Sequence, residues 1–270
     1  MTHSFSQFAY LDTNVTSEIA KRPEIWRRLM DYLIDRDLTL AVSSQVAELN
    51  AADRLHDSLG VLFTHLPAAI IKQWDVVLLE EVRAHPANRT DSLLLYGLNA
   101  MLLEEDGPEK LIRFLSSPEL ISASATQRRT AQQMLPTYRH LKANFPPKPN
   151  GKYAVFQAKE FANYITLQSL GADHTQFLEL FRGNALNLDL QVFKSLRLPA
   201  MVTFYKYYLG GREPKKLSDF GDQAHLYALP YCVAAVVERD LANVLRQIKR
   251  HQPELSATEI YDIDWVKQFC

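Results

Sequence analysis

The sequence predicts an α/β fold: a Rossmann-like three-layer parallel sheet with an α-helical insertion. Three observations carry this. The first fifty-odd residues alternate strand-like and helix-like runs, the signature of parallel strands joined by crossover helices. That alternation returns over the last quarter of the chain. The stretch between reads mainly as helix. The sheet core is therefore expected over 1–90 and 195–270, and the helical insertion over 91–194.

The first strand is Phe8-Ala9-Tyr10-Leu11, which stops at Asp12-Thr13-Asn14, residue types that open helices and turns. Pro23 opens a helix through about Ile34, with Trp26, Leu29, Met30 and Leu33 on one face. Leu38-Thr39-Leu40-Ala41-Val42 is a second strand, rich in β-formers. Ser43-Ser44 follow as a cap for a helix over Val46–Leu55. Val76-Val77-Leu78-Leu79 fits either a strand or a buried helix. Ser92–Glu104, Pro108–Leu115, Thr130–Leu141, Val155–Leu170 and Thr175–Phe181 each show helical spacing. Between them, Asn144-Phe145-Pro146-Pro147-Lys148-Pro149-Asn150-Gly151 must be a loop, because three prolines and a glycine cannot continue a helix. Asp219–Leu229 reads as helix, Val233–Val237 as a strand buried on both faces, Leu241–Arg250 as an amphipathic helix and Glu259-Ile260-Tyr261 as a last short strand.

Composition narrows the function classes. With 270 residues, 47% hydrophobic and 23% charged, the chain can bury a large core without staples. Thirty basic residues against 31 acidic ones give a net charge of −1, so any polyanion site must be a local patch. The two cysteines, Cys232 and Cys270, form no metal-type pair, and Cys232 reads as a small core residue. The N-terminal residues lack the basic and apolar regions of a signal peptide, and no run approaches a membrane span. A cytoplasmic location, away from membranes, is expected. Motifs for nucleotide-cradling loops, zinc proteases and serine hydrolases are absent.

Four carboxylates recur at comparable places. Asp12 follows the first strand, and Glu48 lies early in the helix after the second. Asp222 lies early in the helix before Val233–Val237, and Asp240 lies three residues beyond Val237. Sites in open parallel sheets form outside the carboxyl ends of the strands, near the switch in strand order. Crowded carboxylates repel unless a counter-charge joins them, and a divalent cation supplies it. A metal-bound water attacking a phosphodiester is the chemistry such a cluster suits.

These residues carry a resemblance. Phe8–Val15, with its strand ending in Asp12-Thr13-Asn14, resembles the opening of PIN-domain nucleases. Val46-Ala47-Glu48-Leu49 is similar to the family's second motif, Asp219–His225 followed by Leu229–Cys232 to its third, and Val236-Val237-Glu238-Arg239-Asp240 to its fourth. The resemblance implies a PIN-like fold and a Mg²⁺- or Mn²⁺-dependent endoribonuclease acting on RNA. Carried over, Asp12, Glu48, Asp222 and Asp240 would be the catalytic carboxylates, with Asp12, Asp222 and Asp240 on the metal. Thr13 and Asn14 would support the first of them. Asp219, three residues before Asp222, competes for its place, and Glu238 stands where the family often has Thr or Ser, as an extra ligand or as drift. The motifs cover roughly 5–55 and 215–265; the helical stretch between them is longer than in small PIN domains.

Basic residues near these motifs, Arg22, Lys206 and Arg239 among them, are candidates to neutralise substrate phosphates, and Tyr205-Lys206-Tyr207-Tyr208 is a candidate to stack on bases or to pack the core. Two other readings stand beside the nuclease. One is a non-cutting PIN-like scaffold that binds RNA or protein. The other is the toxin of a toxin–antitoxin pair. An antitoxin, another protein or a second copy of the chain remain open as partners.

Overall fold

Phe8–Leu11 forms the middle of a six-stranded sheet. The computed structural model describes residues 7–43, 68–84, 94–97, 110, 113–171, 188–214, 220 and 222–267. The strands are β1 (Gln7–Leu11), β2 (Leu38–Val42), β3 (Ala68–Ile71), β4 (Leu94–Gly97), β5 (Ala234–Val237) and β6 (Glu259–Asp262). Their spatial order is β4-β3-β2-β1-β5-β6. Five strands run parallel, and β4 is antiparallel to β3 at the edge. The chain builds outward from β1 through β2 to β3, then returns to the other side of β1 as β5. The strand order therefore reverses between β1 and β5, the place where open α/β sheets carry their sites.

Side-chain alternation divides the core into two layers. Ala9, Leu11, Leu40, Val42 and Val236 face one side, where they meet Val15 and Ile19 of α1 (Thr13–Ala20), Ile25, Leu29 and Leu33 of α2 (Pro23–Asp35) and Val266 near the C-terminus. Ile25, Leu29 and Leu33 are four residues apart, so they share one helix face. Pro23 stands in the first turn of α2, where its fixed φ suits the helix. Asp37, in the turn before β2, takes φ 52°, a left-handed conformation that Asp tolerates.

Tyr10, Ala41, Ile71, Ala235 and Val237 face the other way. They are covered by α3 (Trp74–Ala84), α4 (Pro118–Asn144), α5 (Gln157–Gly171), α6 (Lys194–Thr203) with its π-helical continuation Phe204–Leu209, a 3₁₀ segment Asp222–Tyr231, and α7 (Arg239–His251). The last short helix is α8 (Ile263–Lys267). The result is a three-layer α/β fold. Phe161 of α5 lies at 0% exposure against Phe145, Phe204 and Tyr208, so helices from the stretch between the two sheet halves close the core on this face.

Most sequence-derived elements hold, with informative differences. Val76–Leu79 lies in α3: its alternatives have the same apolar run, and only the surrounding helix settles them. A helix was expected over Ser92–Glu104, but Leu94–Gly97 pairs with the open edge of β3, opposing Tyr96 to Ile70. There the ladder offered by that edge outweighs the local helical spacing. β3 itself has just four residues, too few to show a period. α4 starts well before Thr130, where the Ser117 hydroxyl accepts the Leu120 N–H at 3.3 Å. The proline loop is present from Phe145, since α4 takes in Asn144, and ends in a left-handed glycine, Gly151 at φ 73°. Val46–Leu55 and Thr175–Phe181 lie outside the described residues.

Candidate functional site at the strand-order switch

Asp12 ends β1 with extended backbone, φ −65° and ψ 146°, and is 5% exposed. Its N–H donates to Val236 O of β5 at 3.1 Å, which continues the β1–β5 ladder to the carboxyl edge. Its carbonyl accepts the N–H and hydroxyl of Thr16, at 2.8 and 3.0 Å, and so starts α1. Alternation carries Asp12 to the same face as Tyr10. Thr13 and Asn14 form the first turn of α1.

β5 ends beside it. Glu238 follows Val237 directly, and its carboxylate accepts a hydrogen bond from Asn14 Nδ2 at 2.7 Å. This bond ties two of the residues expected to support the site across 224 positions of sequence. Asp240 stands two residues further, in the first turn of α7. Its carboxylate accepts Arg212 Nη1 at 2.9 and 2.8 Å, and Lys206 Nζ lies 3.8 Å away. Arg212 gave no signal in the sequence. Gly210-Gly211, with Gly211 at φ 64°, turns the chain so that it reaches Asp240.

The Asp222–Tyr231 segment descends along the sheet from the same edge. Near its start, Gln223 donates to the Tyr207 hydroxyl at 3.0 Å, next to Lys206. Further on, the Tyr227 hydroxyl donates to Lys72 O at 2.6 Å, one residue past β3. At its end, Cys232 and Val233 lead into β5, where Val233 N–H donates to Phe8 O at the amino side of the sheet. The start of the segment, at Gln223, thus lies against the turn that carries Lys206. Asp219 and Glu48 lie outside the described residues.

The remaining sequence candidates divide. Arg239 pairs with Asp264 of α8. Arg22 is exposed just before α2. Tyr205, Tyr207 and Tyr208 are no more than 4% exposed, so this run packs the core and offers no free ring for a base. His225 is 2% exposed inside the same layer. Cys232 is a core residue as expected, and burial pushes its thiol up to about 12. Among the described residues, no three His, Cys, Asp or Glu side chains group as a metal site.

No protein family, no curated protein and no solved structure matches the chain. Among the described residues, no helix is long and apolar enough to cross a membrane.

Proposed function

We propose that the chain is a divalent-metal-dependent endoribonuclease of the PIN type, its site at the carboxyl ends of β1 and β5. The observation that supports this reading is the Asn14–Glu238 bond, which ties the turn after β1 to the end of β5 at the strand-order switch where Asp12 closes β1. The donor set suits Mg²⁺ or Mn²⁺: hard carboxylate oxygens, few enough for the ion to keep several waters. Asp12 and Asp222 would hold the ion, with Glu238 as the carboxylate that replaces the usual hydroxyl. When bound, the cation supplies an activated water and charge for the phosphodiester in flight.

The chain's own residues set the frame. Asn14 fixes the Glu238 carboxylate, so that group needs no reorganisation to accept a ligand or a water proton. Asp240 is half-exposed, and its ion pair with Arg212 is worth at most about 1 kcal/mol. A divalent ion would displace that pair readily, leaving Arg212 and Lys206 to meet substrate phosphates. Arg239, engaged by Asp264, is the weaker candidate for that task.

The test is cleavage of a fluorescent single-stranded RNA with Mn²⁺ or Mg²⁺. Wild type is expected to cut, chelator to stop it, and Asp12→Asn and Asp222→Asn to be inactive with unchanged circular dichroism. Equal cleavage by both variants would overturn the assignment. The Arg212–Asp240 pair favours a second reading, a scaffold that binds without cutting. Calorimetry separates the two, since a scaffold of that kind takes up no Mn²⁺.

A further inference from the structure

We propose that a second cleft, at the amino edge of the sheet, binds a free ribonucleoside monophosphate. It does not depend on the nuclease reading. The cleft lies at the end of α7, whose last residue, His251, is about 16 Å along the helix from Asp240 at 1.5 Å per residue. Its volume is about 570 Å³, within the range of small-molecule sites.

The walls combine three chemistries. At the base, Arg197 is 1% exposed and donates from Nε to Glu254 Oε1 at 2.7 Å, while its Nη1 donates to Asn163. The Glu254 side chain is 3% exposed, and its other oxygen, Oε2, is buried and accepts no hydrogen bond from any described residue. A buried carboxylate oxygen calls for a donor, and Glu254 lines the cleft. At the side, Phe156 is 52% exposed, with Lys148 Nζ 3.8 Å from its ring centroid. At the rim stands Lys159, exposed and one helical turn from Phe156. Arg197 and Glu254 cancel each other's charge, so Lys159 is the cation that lines the mouth, with Lys148 against Phe156.

The ligand that answers all three has an anionic end, a flat ring and an N–H donor. A nucleotide places its base on Phe156, a base N–H on Glu254 Oε2 and its phosphate at Lys159. Base–aromatic stacking is sequence-tolerant, so Glu254 is the group that ranks the bases.

Calorimetry on the full chain with AMP, GMP, CMP, UMP, ribose 5-phosphate and a tetraribonucleotide tests this. At least one monophosphate is expected to bind saturably, one per chain, about tenfold tighter than ribose 5-phosphate. Phe156→Ala and Lys159→Glu are each expected to weaken it about tenfold with unchanged melting temperature, since both side chains are exposed. Glu254→Gln, if it folds, is expected to change the order of preference among the four bases; otherwise the two surface variants decide. The proposal is overturned if no monophosphate binds, if ribose 5-phosphate binds equally, if the surface variants bind as wild type, or if only the tetranucleotide binds.

Discussion

Glu81 sits in α3 at 1% exposure, where it joins three elements. Its carboxylate accepts the Ser195 N–H at 2.8 Å, the Ser195 hydroxyl at 2.5 Å and the Tyr231 hydroxyl. Burial pushes its pKa up from 4.5 to about 7, against the opposing pull of those donors and of Lys194. Between these two values the folded chain keeps a proton that the unfolded chain has released. Folding therefore becomes less favourable as pH rises through that window and levels off above about 7. At about 1.4 kcal/mol per pH unit the interval amounts to about 3 kcal/mol. Glu81→Gln keeps the shape, accepts the Ser195 N–H and cannot ionise, so it lacks this slope. Urea unfolding of wild type and variant between pH 4.5 and 8 is the assay. The stability difference, wild type minus variant, is expected to fall by about 3 kcal/mol across the range, or roughly 5 °C in Tm for a chain of this length. Ser195→Ala, which removes a donor to the charged form, should carry the fall in stability on to higher pH. Parallel profiles for wild type and Glu81→Gln would refute the reasoning, as would a difference that grows with pH.

Other perturbations probe the core, the site and the far edge. Phe161→Ala empties the junction of α5, α6 and the Asn144–Gly151 loop, and is expected to cost about 3–5 kcal/mol in urea unfolding. Mn²⁺ at a hundredfold excess over its Kd should stabilise wild type by about 2.7 kcal/mol, roughly 5 °C in a thermal melt, and leave Asp12→Asn unmoved. Burial raises the pKa of Asp262, but Arg246 and the Trp265 N–H outweigh it and hold the carboxyl below its usual value. That contribution is present above the unfolded pKa of 3.8 and lost as pH falls through the folded one, so Arg246→Ala should flatten the acid limb of the stability curve.

The local grammar of the chain was legible in its residues. β1, α2, β2, β5, α7 and β6 stand within a few residues of the sequence expectation, because each carries enough alternation, β-branching or helical spacing to declare its period. The place of Asp12 at a strand end was equally readable, as Asp-Thr-Asn after an apolar run favours the start of a helix or turn. Sequence also marked the loop of prolines and the buried thiol. Tertiary structure alone decided the rest, since those outcomes depend on partners far away in the chain. β4 is a strand because the edge of β3 was free to pair. The tyrosines after Phe204 are core because three helices and a 3₁₀ segment close over them. Glu238 is bound to Asn14, Asp240 to Arg212, and Arg239 to Asp264 through contacts spanning 25 to 224 positions, which no local pattern encodes. A side chain's type is written at its own position, but its charge partner and its face are set by whichever segments folding brings beside it.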